Sequence, residues 1–442
     1  MKSANLYIGR SRQDSNLYYL SGFDSPDPFG LLIHDDKKIL FISPLEYDIA
    51  KATSKADLVV DFYKGAQLGL ISSIMQYLKE YKIGKLWLDG SIDLQYYMHL
   101  RQEFPDLILD KIYDSFLDQR EIKSDQDIAY IRQAQVAVDL VYAQAIDFLS
   151  QAKIRGKYLY RGDQIVTSEM VKQLLRVELA RLGYDNPEGM ILSSGLDTAD
   201  PHCQGSGPIL ANQFIVFDIF PRSIESLYYT DMSRTVIRGQ ATDGQLALYD
   251  AVYQAQTKAI KKVKQRASYY EMDQAIRKKF VKQGFETKLG QDGHQQGYFH
   301  GLGHGVGLDI HEQPNPTPGE VLWQNQVITI EPGLYYTDPK ANTLGVVGGV
   351  RIEDTLVVTE QGSINLAKSP KDLVIWDVLS RTVRDISNLV KWQKPRTVRD
   401  SLARGQVCCR VRLIGYAILA VCDIIKTHKT LTLEEVCVEL LD

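Results

Sequence analysis

Cysteine is scarce through most of this chain. Of five in all, only Cys203 lies in the first 400 residues, while Cys408, Cys409, Cys422 and Cys437 crowd the last 35. An odd number with no regular spacing indicates neither a disulfide framework nor a CxxC zinc site, and reduced thiols are expected. Long apolar runs are missing as well, since nothing approaches the ~20 residues of a membrane span. The opening MKSANLYIGRSRQDSN lacks the apolar core of a secretory signal, so a cytoplasmic location is expected. Charge of one sign is not in excess either: 51 basic against 55 acidic side chains leave a net of −4. That balance gives no global electrostatic case for nucleic acid or an anionic membrane as partner. What remains is an ordinary folded composition, 44% apolar and 24% charged, and 442 residues are enough for two or three domains.

Up to about residue 120 the pattern alternates short strands with helices. NLYYLSGF, FGLLIHDD, KKILFISP and LWLDG read as strands, and LGLISSIMQYLKEYKIG as a helix. This predicts a small α/β domain over residues 1–120. Ser124, with Asp127 at the capping-box position, then opens a long amphipathic helix. Further helices (TSEMVKQLLRVELARLG, GQLALYDAVYQAQTKAIKKVKQ) and strands (QFIVFDIFP, VITIEPGLYY, VRIEDTLVVT) predict a larger α+β domain over 121–375. Residues 376–442 differ in character, with a net charge of +3 and nine basic against two acidic residues between Arg381 and Arg412. They predict a short helical extension of unknown role. Its basic side chains read as a solvated face, with docking to an acidic partner or nucleic acid as the alternative.

Potential chemistry concentrates between His202 and Glu353. Four of the eight histidines, His294, His300, His304 and His311, fall within 18 residues. Asp218 interrupts the apolar run QFIVFDIF, and an isolated carboxylate buried there needs a cationic partner. Strand periodicity places Asp231 with Ser233 on one face, Thr329 with Glu331, and Arg351 with Glu353, while Asp354 points the other way. Four apolar strands thus each deliver one carboxylate. If Asp218, Asp231, Glu331 and Glu353 converge with a histidine, two divalent cations balance their charge; without metal, mutual repulsion keeps some of them protonated.

The order DIFPRSIESLYYTDMSRTVIRG, HGLGHGVGLDIHEQP, TIEPGLYY, GGVRIEDTLVV resembles the prolidase and aminopeptidase P family, the Xaa-Pro metallopeptidases. The resemblance spans residues 10 to 375. It implies an α+β architecture: a creatinase-like amino-terminal α/β domain followed by a pita-bread metallopeptidase domain. By the same resemblance Asp218 chelates one metal, Asp231 and Glu353 bridge two, and His304 with Glu331 completes the second. Glu331 also serves as acid/base, and His202 and His311 as substrate-side histidines. His300 is a further active-site histidine, and Arg351 orients a bridging carboxylate. The implied reaction is hydrolysis of the bond preceding proline, in Xaa-Pro dipeptides or at peptide amino termini, by a metal-bound hydroxide. The length of the body resembles the shorter prolidase-type members, which favours dipeptides.

Oxygen-rich ligation suits Mn²⁺ first, then Co²⁺, Fe²⁺ or Zn²⁺. The resemblance also implies a homodimer with a proline-containing peptide as substrate; the charge balance and the lack of apolar runs predict neither membrane nor nucleic acid as partner, the basic 381–412 segment apart. Alternatives are a methionine-aminopeptidase-like exopeptidase, a metal-free creatinase-like enzyme, or a non-catalytic scaffold. Two features carry further expectations. Gly301, Gly303, Gly305 and Gly307 are expected to let backbone pass close to metals and substrate. The Asp218 to Asp231 spacing exceeds the family's usual one by two, so SIES is expected to enlarge a hairpin without changing strand faces.

Overall fold

The computed structural model of the protein describes residues 2–63, 69–112, 118–290 and 293–376. Its amino-terminal part is one six-stranded sheet, in the spatial order Leu58–Asp61, Lys37–Ile42, Phe29–His34, Lys2–Gly9, Ile83–Leu88, Ile108–Lys111. Phe29–His34 runs antiparallel to both neighbours and the other pairings are parallel. Alternation sorts the side chains onto two faces. Leu6, Ile8, Leu32, Ile39 and Phe41 pack under helices Leu70–Tyr81 and Leu94–Glu103. Tyr7, Leu31, Leu40 and Ile42 pack under Ser15–Ser21 and Tyr47–Thr53. The hairpin between Phe29–His34 and Lys37–Ile42 turns on Asp35 and Asp36, both at positive φ (50° and 61°), where Asp is among the few tolerated side chains.

NLYYLSGF is not a strand. Residues Ser15–Ser21 are helical because the carboxylate of Asp14 accepts the Leu17 N–H, while Gly22 at φ 62° closes the other end on the Tyr18 carbonyl. Leu17 and Leu20 are then buried together on one face, and these caps and contacts override the β-propensity of the paired tyrosines.

The capping box at Ser124 and Asp127 opens helix Asp125–Ser150 as its sequence predicts. With Ser168–Arg181 this helix backs a four-stranded sheet, Ile191–Ser194, Phe214–Ile219, Met232–Arg238 and Val374–Ile375, through an apolar core that includes Val141, Leu175, Phe217 and Met232. A second helix pair, Asp243–Ile260 and Tyr269–Lys282, backs strands Val327–Ile330, Gly333–Tyr336, Gly348–Arg351 and Asp354–Val358 through Val252, Ile276, Ile330 and Val350. This α+β arrangement, with the creatinase-like sheet ahead of it, is the pita-bread fold that the resemblance implies.

VITIEPGLYY and VRIEDTLVVT are not continuous strands. Val327–Ile330 pairs with Asp354–Val358, whereas Gly333–Tyr336 pairs with Gly348–Arg351 in a different sheet. Each segment changes sheet at a short break, Glu331–Pro332 in one and Ile352–Glu353 in the other. Pro332 has no N–H to give a ladder. The expectation of one carboxylate per strand is therefore corrected. Only Asp218 lies inside a strand; Asp231 precedes Met232–Arg238, and Glu331 and Glu353 occupy the two breaks.

The enlarged hairpin keeps its register. Asp218 stays opposite Ser233 and Ile219 opposite Met232, and the added residues form a tip in which Arg222–Ser223 pairs with Tyr184–Asp185. The expected helical extension at 376–442 lies outside the described residues apart from Trp376. Among the described residues no helix is long and apolar enough to cross a membrane.

Candidate active site

Hydrogen bonds to the backbone, within and between the two helix-backed halves, fix the acidic residues first. The Glu353 N–H donates to the Ser233 carbonyl (3.0 Å), and the Glu331 N–H to the Leu302 carbonyl (2.8 Å). Thr355 Oγ1 donates to the Asp231 carbonyl (2.8 Å) and accepts the Asp231 N–H (3.3 Å). Thr329 does the same service for His304: its Oγ1 accepts the His304 N–H (3.1 Å), and its own N–H donates to the His304 carbonyl (2.8 Å).

The side chains then converge. Asp231, His304 and Glu353 offer ligand atoms that all lie within 4.8 Å of one another, and all three residues are buried. His304 Nε2 stands 3.3 Å from Glu331 Oε1 and 3.8 Å from Asp231 Oδ2. Its Nδ1 is 2.9 Å from the Gly305 carbonyl, which can only accept, so the proton sits on Nδ1 and the Nε2 lone pair faces the carboxylates. Asp218 meets the cation its burial demands, Arg351 Nη2 at 2.7 Å. Ser233 Oγ is 2.9 Å from Asp218 Oδ1 and 2.8 Å from Glu353 Oε2, and it accepts from Arg351 Nε at 2.8 Å. Arg351 thus touches Asp218 directly and Glu353 only through Ser233. Asp354 points away, as predicted, onto Arg234 Nη2 at 2.9 Å.

Crowding shifts the protonation of this cluster. Burial, then the neighbouring carboxylates, holds Asp231 and Glu353 well above the usual carboxylate range. Burial, opposed in part by Arg351, pushes Glu331 up to about 8. Burial, then the neighbouring His311, lowers His304 to about 4. Asp231 Oδ1 and Glu353 Oε1 are buried with no protein partner, a costly condition for isolated oxygens. The donor set fits a divalent cation: hard carboxylate oxygens, two of them orphaned, and one imidazole nitrogen turned inward.

His202, His300 and His311 surround a cavity of about 760 Å³ above these groups. His202 and His311 line it from exposed loops, and the His311 ring lies 4.4 Å from that of His304 at 88°. His300 is engaged at both ring nitrogens, Nδ1 with the Gly301 carbonyl (2.8 Å) and Nε2 with the Tyr335 hydroxyl (2.9 Å). Arg351 Nη1 donates to that same hydroxyl at 3.2 Å. Burial, then Arg351, lowers His300 to about 3, and burial pushes Tyr335 up to about 12. His294 does not line the cavity and sits on the Gln295–Gln296 hairpin.

Sequence reasoning overlooked Tyr335 and Thr355, and it placed Thr329 beside Glu331 without a role. A hydroxyl two residues from a carboxylate on a strand is the only trace such groups leave. Gly301 and Gly303 line the cavity, and three of the four glycines are also tightly packed. A Cβ on Gly303 would fall 2.3 Å from the Thr329 carbonyl, one on Gly305 2.1 Å from the Gln313 carbonyl, and one on Gly307 2.4 Å from the Glu312 carboxylate. The close approach is to the protein's own neighbouring segments.

Comparison with known proteins places the chain in a family. Residues 129–360 match the metallopeptidase family M24, and residues 6–122 match the creatinase/prolidase N-terminal domain. The Xaa-Pro dipeptidase of Pyrococcus furiosus is 31% identical over 364 residues, covering 81% of this chain and 92% of its own. That of Pyrococcus horikoshii is 29% identical over 372 residues, covering 82% and 93%. Among solved structures, the prolidase from Pyrococcus horikoshii OT3 superposes with a TM-score of 0.68 at 27% identity, covering 84% of this chain and 95% of its own. The X-Pro aminopeptidase from Thermotoga maritima MSB8 gives 0.69 at 23% identity, covering 84% and 97%, a likeness of fold.

Proposed function

Since the chain belongs to metallopeptidase family M24, we propose that it hydrolyses the peptide bond preceding proline near the amino terminus of small peptides. One observation carries this reading: a buried Asp231, His304 and Glu353 cluster with two orphaned carboxylate oxygens, under a cavity lined by His202, His300 and His311. Asp218, Asp231, His304, Glu331 and Glu353 would hold two divalent cations, Mn²⁺ fitting first, which when bound acidify a water and polarise a carbonyl.

The chain's own residues supply the rest. Glu331 takes a proton at its carboxylate and returns it to the leaving proline nitrogen. His202 and His311 reach into the cavity to donate hydrogen bonds to the carbonyl oxygen as charge grows on it. Arg351 holds Asp218 in place. An Xaa-Pro bond suits a dedicated site, because proline carries no N–H and restricts the residue before it. A methionine-aminopeptidase-like reading leaves the match over residues 6–122 without a role, and a scaffold reading leaves five intact ligand positions without one.

The cavity favours a peptide that continues beyond proline. Among the described residues lining it, Arg351 is the one guanidinium and no lysine is present, and Arg351 is already tied to Asp218, Ser233 and Tyr335. A dipeptide's free carboxylate would find imidazoles and the amides of Gln204 and Asn315 but no uncommitted cation there, while Glu188 and Asp200 offer negative charge to an amine. The test is hydrolysis of an Xaa-Pro dipeptide, its carboxamide and an Xaa-Pro-Yaa tripeptide, by protein chelated and then reconstituted with Mn²⁺. Faster cleavage of amide and tripeptide supports an aminopeptidase, and preference for the free acid a dipeptidase. No cleavage of any, with no metal bound, rejects the enzyme reading.

A further inference from the structure

A second charged cluster lies outside the acidic site, at the junction of the amino-terminal sheet with the rest of the molecule. Arg120, Lys123 and Glu312 are all buried, their side chains 4%, 2% and 1% exposed. Arg120 Nη2 lies 2.7 Å from both Glu312 Oε2 and Asp309 Oδ2, and Lys123 takes the other Glu312 oxygen. Two buried cations thus face the buried Glu312 carboxylate and the half-exposed Asp309, and burial of Glu312 requires such partners. From the amino-terminal helix Ser15–Ser21, Ser15 Oγ donates to Asp309 (2.6 Å), and Asn16 Oδ1 accepts from Arg120 Nη1 (2.8 Å). Asn16 Nδ2 in turn donates to Asp89, just past strand Ile83–Leu88 (3.1 Å).

Glu312 is next in sequence to His311, and its backbone exchanges both hydrogen bonds with Gly305, the neighbour of His304 (2.9 and 3.0 Å). Its carboxylate also fills the space over Gly307, where a Cβ would fall 2.4 Å from Oε1. The segment carrying His304 and His311 therefore folds around one carboxylate, and that carboxylate is held from the amino-terminal side.

Building on the reading above, we propose that Arg120 is a positioning residue. Through Glu312 and Asp309 it fixes the 304–312 segment, and so sets where His304 meets the carboxylates and where His311 meets the substrate. The amino-terminal sheet then takes part in forming the active site as well as adjoining it. A fork is required for this, because a single ammonium group cannot hold Asn16, Asp309 and Glu312 in one plane.

The test compares Arg120→Lys, which keeps the charge and removes the fork, and Glu312→Gln, which keeps the shape and removes the charge, with the parent full-length chain. Three quantities are read: Mn²⁺ affinity by electron paramagnetic resonance titration, kcat and KM on the best peptide, and hydrogen exchange of residues 302–312, all well below each variant's melting midpoint. A positioning role predicts Mn²⁺ affinity and kcat each lowered about tenfold or more, with faster exchange confined to that segment. Parent-like exchange, Mn²⁺ affinity and kcat in Arg120→Lys, or exchange that rises evenly through the molecule, overturns it. If the parent protein binds Mn²⁺ but cleaves no peptide, the proposed function fails, while exchange and affinity still decide the positioning role.

Discussion

Ser233 has one proton and two carboxylates within reach, Asp218 and Glu353, while Arg351 donates to one of its lone pairs. Only one of the two can be served at a time, which leaves the other dependent on its own proton or a cation. The same competition governs pH dependence. In metal-free protein Glu331 titrates at about 8 against 4.5 when exposed, and Asp231 and Glu353 are also raised, so the folded state holds more protons than the unfolded chain over that interval. Raising pH through the interval removes that advantage. His304 and His300, lowered from 6.5 to about 4 and about 3, act oppositely and only below 6.5. Between about 6.5 and 8 the carboxyl groups alone decide the sign. The melting midpoint of chelated protein should fall across this range in scanning calorimetry, and Mn²⁺ should abolish the trend. Replacement of Glu331 by Gln should lower kcat by about 10²–10⁴-fold, measured on metal-saturated protein. His311→Ala should lower turnover with metal content intact, whereas Asp231→Ala should lose metal by elemental analysis. The cation for Asp218 was legible from one acid in an apolar run. Tyr335 was not, because nothing in GLYY distinguishes a tyrosine that packs from one that hydrogen-bonds His300.

Element boundaries followed local chemistry where caps were explicit. Ser124 with Asp127 is a reciprocal cap, and Ser124→Ala should cost about 1 kcal/mol in denaturant unfolding. The Asp14 cap of Ser15–Ser21 was equally present, yet the aromatic pair Tyr18 and Tyr19 suggested a strand. The changes of sheet at Glu331–Pro332 and Ile352–Glu353 had no periodic signature, since a strand that leaves one ladder and joins another keeps its alternation. These breaks free Glu331 and Glu353 from ladder geometry and let both face the same space. Neighbouring glycines keep the intervening segment close: Gly305→Ala should destabilise by roughly 1–3 kcal/mol through overlap with the Gln313 carbonyl. Gly362→Ala, with open space around it, serves as the matched control.

At the scale of the molecule, two helix-backed halves each bury their own apolar core, and the acidic residues lie where the halves meet. Bound cations therefore stabilise the assembly of both halves. Mn²⁺ at about a hundred times its dissociation constant should add about 2.7 kcal/mol to unfolding, and chelation should reverse it in a thermal melt. The overall architecture was legible because its motifs recur in order along the chain, each tied to one edge of the site. The Arg120 junction was not, since Glu312 lies 192 residues away and neither partner stands out in sequence. The hydrogen-bond chain across the cavity wall has a consequence of its own. Arg351 has no lone pair to offer, and the Gly301 carbonyl has no proton. Tyr335 and His300, strung between them, are therefore oriented in one direction only. Such a chain cannot conduct a proton without breaking. That wall of the cavity therefore offers the acidic cluster no relay, and Tyr335 and His300 serve there to fix Arg351 and the Gly301 turn in place.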